Sequence, residues 1–535
     1  VSLRIFRTVL GPFLGDHPWR RRVLALGVVG LTLAATSLPV FQAVILKMLP
    51  FDNKSELQVV VDMPERTPME QTQRVLMEMG SYLETVDEVA NWQTYAGTAS
   101  PINFNGLVRQ YYLRGDPYHG DIQVNLIHEE RRERQSHAIA QSLRGPLTEI
   151  GKQHGASVKI VEVPPGPPVL SPVVAEIYAV DENRRAELAR QVAEGMTRVD
   201  GLVDIDTTLE APTRQWEVVV DRDRAARLGV SQAQVVGALQ TALGGTSVSF
   251  LHDDHAKYPV PIRVILSEGD KAQPAALLSL NVRSRDGNLL PLASIADVRE
   301  ADWMGAIYHK DLLPVTYVTA DMAGEIDSPL YGMFAMVERL DQQEWAPEQY
   351  FIDQPPLPEK GTLKWDGEWQ ITYETFRDMG AAYSVGVFMI FVLLVAQFRS
   401  YILPLVIMAP IPLTMIGIMP GHALLGREFT ATSMIGMIAL AGIIVRNSIL
   451  LVVFIRQLIE EGVELDEAVV LAGAVRIKPI ALTAISAMVG AYFILNDPIF
   501  NGLAISLVFG LAMSTLLTVL VVPLLYYTLA RCRWI

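Results

Sequence analysis

The sequence predicts an α+β integral membrane protein in which six transmembrane helices carry a large soluble region built of ferredoxin-like β-α-β subdomains. Three observations support this. Half of the 535 residues are hydrophobic, and they are gathered into separate runs. Runs at 23–46, 379–397, 401–425, 434–455, 479–495 and 502–529 each approach the ~20 residues a helix needs to cross the hydrocarbon layer. Between the first and second runs, a charged stretch from about residue 50 to 375 alternates strand-like and helix-like patterns.

Residues 1–22 end in Trp19-Arg20-Arg21-Arg22 and read as a cytoplasmic segment. The run that follows is too long for a cleavable signal core, so 23–50 is expected to be a retained first transmembrane helix. A first soluble subdomain is expected over 51–165. It has strand ELQVVVDM (56–63), a helix at 68–84, a strand at 87–95, then strand 121–127, a helix at 130–153 and strand SVKIVEV (157–163). The join PPGPPVLSP (164–172) holds five prolines and a glycine, which exclude helix and central strand and mark a linker.

The same order of elements begins again over 166–208, with VVAEIYAV (173–180), a helix at 183–198 and LVDIDTTL (202–209). It resumes over 313–372 with VTYVTADM (315–322), a helix at 327–341 and TLKWDGEW (362–369), so 209–312 reads as a domain inserted into an internal repeat. The remainder, 373–535, holds five transmembrane helices.

The net charge of −14, with no basic stripe, argues against nucleic acid as a partner. The single cysteine, Cys532, leaves no disulfide within the chain. No phosphate loop, metal-ligand spacing or nucleophile motif is present, so the reading is not an enzyme, and no cofactor is expected. With a cytoplasmic N-terminus, the inner loops hold Arg399, Arg456, Arg476, Lys478, Arg531 and Arg533. The short outer loops hold only Arg427, beside Glu428. The positive-inside rule then turns the soluble region outward, which in a Gram-negative cell is the periplasm, with the spans in the inner membrane.

One residue violates the apolar pattern. In IVRNSILLVVFI (444–455), Arg446 sits near mid-span, where a charge costs ~2.5–3.5 kcal/mol on insertion scales. Ala439 and Gly442 share its helix face and would let another helix approach. None of the six runs contains Asp or Glu, so a carboxylate partner must come from elsewhere. The competing reading is a side chain that snorkels to the interface, against which its depth argues. A second small-residue series, Gly502, Ser506, Gly510, Ser514 and Thr518, recurs every four residues in the last run.

GIIVRNSILLVVF (442–454), EEGVELDEAVVLAGAVRIKPIALTAISAMVGAYFIL (460–495) and STLLTVLVVPLLYY (514–527) together resemble the C-terminal half of resistance-nodulation-division (RND) efflux permeases of the acriflavine-resistance type. VVVDRDRAARLGVSQAQVVGALQTALGG (218–245) and RSRDGNLLPLASIADV (283–298) are similar to the passage from that family's second porter subdomain into its docking domain. The resemblance implies two porter subdomains with 209–312 as docking domain. It also implies a proton antiporter that expels hydrophobic or amphiphilic compounds as part of a tripartite pump. The implied partners are an N-terminal half absent from this sequence, two further copies in a homotrimer, a periplasmic adaptor, an outer-membrane channel and the lipid bilayer.

The same resemblance implies a proton relay in which two aspartates of the other half pair with a basic residue, usually lysine, at the position of Arg446, next to Asn447. Arginine stays charged, so here it would act by tuning those carboxylates. Arg476 and Thr483 share a helix face seven residues apart and match further relay positions; the plain readings are an interfacial anchor and a hydroxyl bonded to its own backbone. Phe104, Tyr111 and Tyr112 fall where the family has a mobile loop beside its drug pocket, with ordinary packing as the alternative. Two other functions stay open. Heavy-metal-ion export would call for soft ligands, but Met63 and Met69 are isolated and Met304, Met322, Met333 and Met336 form no evident ladder. A non-pumping envelope sensor or assembly factor would use the same architecture without intramembrane carboxylates.

Overall fold

The computed structural model describes residues 2–15, 17–164, 166, 168–303, 305–324, 326–355 and 359–532. Met304, Arg533 and the linker prolines Pro165 and Pro167 lie outside the described residues.

A short helix α1 (Ser2–Leu10) packs Phe6 and Leu10 into the core shared by the apolar helices. Helix α2 (Pro18–Ser37) follows, with Pro18 at its first position and the three arginines in its first turns. The 23–46 run was expected to be helical throughout, yet α2 ends at Ser37, because Pro39 has no amide to donate into the helical ladder. From Val23 to Ser37 the apolar helix is ~22 Å long at 1.5 Å per residue, short of a full hydrocarbon layer. Residues 38–55 are irregular, and Val44, Lys47 and Met48 are buried.

The first sheet contains β1 (Glu56–Asp62), β2 (Val89–Ala96), β3 (His119–Leu126) and β4 (Ser157–Glu162), in the antiparallel order β2-β3-β1-β4. Leu57, Val59 and Val61 alternate toward α3 (Met69–Leu83) and α4 (Ser136–Gln153), where Leu76, Met79, Ile139 and Leu143 complete a core. The opposite face of β1 is buried too, which accounts for the nearly unbroken VVV in the middle of the strand.

The second sheet repeats the order. Four of its six strands, β5 (Val173–Tyr178), β6 (Leu202–Thr207), β7 (Leu313–Met322) and β8 (Thr362–Gly367), run β6-β7-β5-β8 and pair antiparallel; the short strand His309–Lys310 pairs with β7, and Glu348–Tyr350 pairs in parallel with β8. Helices α5 (Glu182–Met196) and α6 (Pro329–Asp341) cover it through Leu188, Val192, Met333 and Met336.

Residues Glu210–Ile307 form a separate compact unit. In it, strand Arg214–Val220 pairs with Ala296–Asp302, and helix Gln232–Gly244, opened by a Ser231–Gln234 capping box, lies on a small core of Val235, Val282 and Ile295. A hairpin of Thr246–Leu251 and Val260–Val264 is exposed along both strands.

Five helical stretches among the described residues are long and apolar enough to cross a membrane: Glu368–Phe398 (α7), Ile402–Leu425, Ala431–Glu460 (α9), Leu465–Tyr492 (α10) and Asn501–Arg531 (α11). Six were expected; α2 falls short for the reason given above. The second stretch is broken into Ile402–Met408, Pro410–Leu413 and Met415–Leu425 (α8), its prolines interrupting the ladder. Where 479–495 was read as a span, one continuous helix runs from Leu465. The small residues Gly502, Ser506, Gly510, Ser514 and Thr518 are all buried on α11, and the Ser506 hydroxyl donates to the Ser433 carbonyl of α9 at 3.0 Å.

Candidate functional site

Helix α9 divides its two faces sharply. Ala441, Ile444, Val445, Ser448 and Leu451 are buried against neighbouring helices, whereas Ala439, Gly442, Arg446 and Leu450 are exposed at a spacing of three to four residues. With Ile390 of α7 and with Val445 and Ile449, the residues Gly442, Arg446 and Leu450 bound a groove of about 300 Å³. Its walls are almost wholly apolar, and among the described residues no carboxylate pairs with Arg446. The groove has space for a helix-sized neighbour, and a Cβ added to Gly442 meets nothing within 4 Å.

The other residues expected in the relay are distributed differently. Asn447, next in sequence, turns about 100° around the helix and is buried at 3% exposure, away from the groove. The Arg476 guanidinium of α10 lies over the Phe454 ring of α9 at 4.5 Å, a cation–π contact. Its Nε is buried without an acceptor. The Thr483 hydroxyl donates to the carbonyls of Pro479 and Ile480, at 3.1 and 2.9 Å, which is the plain backbone-bonded reading. Neither Arg476 nor Thr483 lines the groove.

A second candidate site lies in the soluble region, at the seam between the two sheets. Several charges on one side meet an opposite charge on the other. Lys159 of β4 pairs with Asp206 of β6, and Arg144 of α4 with Asp204 of β6. Arg109 lies 3.6 Å from Asp321 of β7. His137 of α4 places Nε2 3.1 Å from Asp327 and Nδ1 2.7 Å from Glu162. Phe51, Arg109, His137, Arg144, Asp321 and Glu368 are among the residues that line a narrow cavity along this seam.

Electrostatics follow from burial and pairing. Burial alone would raise the Asp62 carboxyl, but Lys159 and Arg114 override it and hold Asp62 far below the usual carboxylate range. Lys159, although buried, is held well above the ordinary lysine range by Asp62 and Asp206. Burial likewise works against the charged form of His137, yet hydrogen bonds to Asp327 and Glu162 lift it to about 9.

Of the aromatic trio, Phe104 opens the short helix Phe104–Val108, which Asn103 caps by accepting from the Gly106 amide at 2.7 Å. Phe104 and Tyr112 are exposed, while Tyr111 packs under Arg114 at 5.5 Å. None of the three lines the seam cavity; from that loop Arg109 does. Sequence reasoning passed over Arg109, although an arginine within NGLVRQYY was a visible signal. It also passed over Lys47, His137 and Asp327, which carry no local signal. Among the described residues no group of three or more His, Cys, Asp or Glu side chains could hold a metal ion.

Comparison with known proteins accords with this fold. The swarming motility protein SwrC of Bacillus subtilis (strain 168) is 26% identical over 364 residues, which is 67% of this chain and 33% of that protein. Two crystal forms of a heavy metal efflux pump superpose with TM-scores of 0.77 and 0.76, at 21% and 20% identity, over 99% and 98% of this chain. The chain spans about half the length of those structures, 51% and 52%. The family model described as "AcrB/AcrD/AcrF family" matches residues 13–530. The chain therefore belongs to the AcrB/AcrD/AcrF family of RND permeases.

Proposed function

We propose that this chain is the C-terminal half of a proton-driven exporter of hydrophobic or amphiphilic compounds. One observation carries the reading: Arg446 faces an apolar groove on α9 with no carboxylate among the described residues to neutralise it. A permanent cation at mid-span is tolerated when a partner reaches it, and the open groove beside it admits a helix of the other half bearing acidic residues. Protonation of those acids would release them from Arg446 and shift α9, which is the elementary step of a proton-coupled transporter. In this reading the assembly is a homotrimer in the inner membrane, joined through residues 210–307 to an adaptor and an outer-membrane channel.

Heavy-metal export is the second reading; a heavy metal efflux pump shares this fold, a likeness that at 21% identity speaks to fold alone. The test is reconstitution of this chain with its other half in vesicles. Proton flux started by an amphiphilic cation supports the first reading. Flux started by a soft metal ion alone replaces it with the second, and flux with neither supports a non-pumping role.

A further inference from the structure

We infer that residues 44–51 are a coupling strap that transmits movement of α9 to the seam between the two sheets, with the Lys47–Asp327–His137 charge series as its working joint. The strap holds three bodies at once. Toward the membrane helices, the Phe429 amide donates to the Ile45 carbonyl at 2.8 Å, the Lys47 amide to the Phe429 carbonyl at 3.2 Å and the Ala431 amide to the Met48 carbonyl at 3.0 Å. Residues 429–431 lead directly into α9, whose first turn is fixed by the Thr430–Ser433 capping box. Arg446 lies on the same helix about 22 Å further along at 1.5 Å per residue.

Toward the second sheet, the Leu46 amide donates to the Tyr331 hydroxyl at 3.2 Å, and the Ser328 hydroxyl donates to the Leu46 carbonyl at 2.7 Å. The Lys47 ammonium, 3% exposed, donates to Asp327 at 2.8 Å. Toward the first sheet, the same carboxylate oxygen of Asp327 meets His137 at 3.1 Å. Phe51 stacks on the His137 ring with centroids 4.5 Å apart and planes at 11°, while Lys47 lies 4.4 Å above the Phe51 ring. Just past the strap, Asn53 accepts from the amide of Ser136, the first residue of α4, at 2.9 Å.

This arrangement is suited to transmission for a physical reason. The seam is held by ion pairs with one member on each side, so it can separate and re-form without exposing a large apolar core. Asp327 is shared between a residue hydrogen-bonded to the entry of α9 and a residue of α4. A displacement of α9 along its axis therefore pulls on Lys47 and loosens or tightens the bond from Asp327 to His137. The inference rests on the export reading only in taking a change at Arg446 as what moves α9.

The test uses the full-length transporter that contains this chain, made free of cysteine by Cys532→Ser and its equivalents elsewhere. Spin labels go on Lys152→Cys in α4 and Arg190→Cys in α5, both exposed and on opposite sides of the seam. Arg446→Ala is expected to shift the distance distribution between the labels, and the shift is expected to be lost when Lys47→Met or Asp327→Asn is added. Lys47→Arg, which keeps the charge, should preserve it, and equal abundance and unfolding temperature across the set exclude simple misfolding. A label pair that ignores Arg446→Ala, or responds equally with and without Lys47→Met, overturns the strap whatever export does. Export that survives Arg446→Ala removes Arg446 from the proposed proton relay whatever the labels do.

Discussion

His137, on helix α4 over the first sheet, and Asp327, in the loop between β7 and α6 of the second, are joined by a 3.1 Å contact between Nε2 and Oδ2. The imidazole is held at about 9 although burial opposes its charge, because Asp327 and Glu162 both accept from it. Lys47, Arg109, Arg144 and Glu368 are the other charged groups around it. A group raised in the folded state stabilises fully below its unfolded value of ~6.5 and loses that contribution as pH rises through the folded value. The chain should thus lose up to ~3 kcal/mol of stability between pH 6.5 and about 9 through this residue. Unfolding temperature in detergent, compared with His137→Gln across that range, is the measurement. The difference between the two proteins should shrink with rising pH, and a constant difference would remove the charge from the argument.

Arg446 should tolerate lysine and not alanine. In the proposed two-half transporter, Arg446→Ala is expected to abolish export at normal membrane abundance, since nothing would then keep the carboxylates proposed to face it ionised. Arg446→Lys retains a cation on a shorter donor set and should keep part of the activity. Wild-type resistance from the alanine variant in a hypersensitive host would sink the relay assignment.

Two glycines of the membrane region separate internal packing from packing against another half. A Cβ on Gly417 of α8 would fall on the Phe509 carbonyl oxygen of α11 and within 2.8 Å of Met513 Cβ, so backbone must move. Gly417→Ala should cost ~1–3 kcal/mol and lower the unfolding temperature. Gly442 in the groove has open space around it, so Gly442→Leu should leave the stability of this chain unchanged. In the complete transporter the same change should block export by occupying the neighbour's place. Full export with Gly442→Leu would mean that no helix enters the groove.

What could be read from sequence divides along a physical line. The long apolar helices were readable because hydropathy is local and the hydrocarbon thickness sets their length. The end of α2 was not, because averaging over 23–46 counted Ala43, Val44 and Ile45 with the helix and ignored Pro39. Arg446 announced itself by being the wrong residue for its surroundings. Its neighbour Asn447 was grouped with it by adjacency, although residues side by side on a helix face different ways, and Asn447 is buried. The seam was invisible for a different reason. Lys47 and Asp327 are 280 residues apart, and nothing local to either chooses the other.

The unit Glu210–Ile307 offers an exposed hairpin bearing Val248, Phe250, Ile262 and Val264, with Tyr258 in the turn. Apolar side chains grouped on an exposed hairpin mark an interaction surface. The turn places Asp253 and His255 in solvent, the His255 amide donating to Asp253 at 2.9 Å. Cysteines at Asp253 or His255 should crosslink in cells to a neighbouring subunit or an envelope partner. Crosslinks only to sites near the lipid, or none at all with accessible thiols, would remove the docking role.

The 535-residue chain by itself should not transport. Proton coupling needs a group that gains and loses a proton across the working pH range, and an arginine does not. The apolar groove beside Arg446 supplies no acid, and Thr483 spends its hydroxyl on its own helix. His422 is a histidine deep among the helices; it is fully buried, with Nδ1 2.8 Å from the Ile418 carbonyl and Nε2 2.9 Å from the Ser433 hydroxyl. Since a carbonyl only accepts, Nδ1 carries a proton there, and Nε2 shares a hydrogen bond with the Ser433 hydroxyl, whose oxygen accepts from the Thr430 amide. With both ring nitrogens hydrogen-bonded inside the helix packing, His422 is a structural fixture of the α8–α9 contact. Purified alone in vesicles, the chain should therefore show no substrate-dependent proton flux, and adding the other half as a separate polypeptide should restore it. Flux from the chain alone would reassign the carrier, and loss of that flux in His422→Asn would identify it.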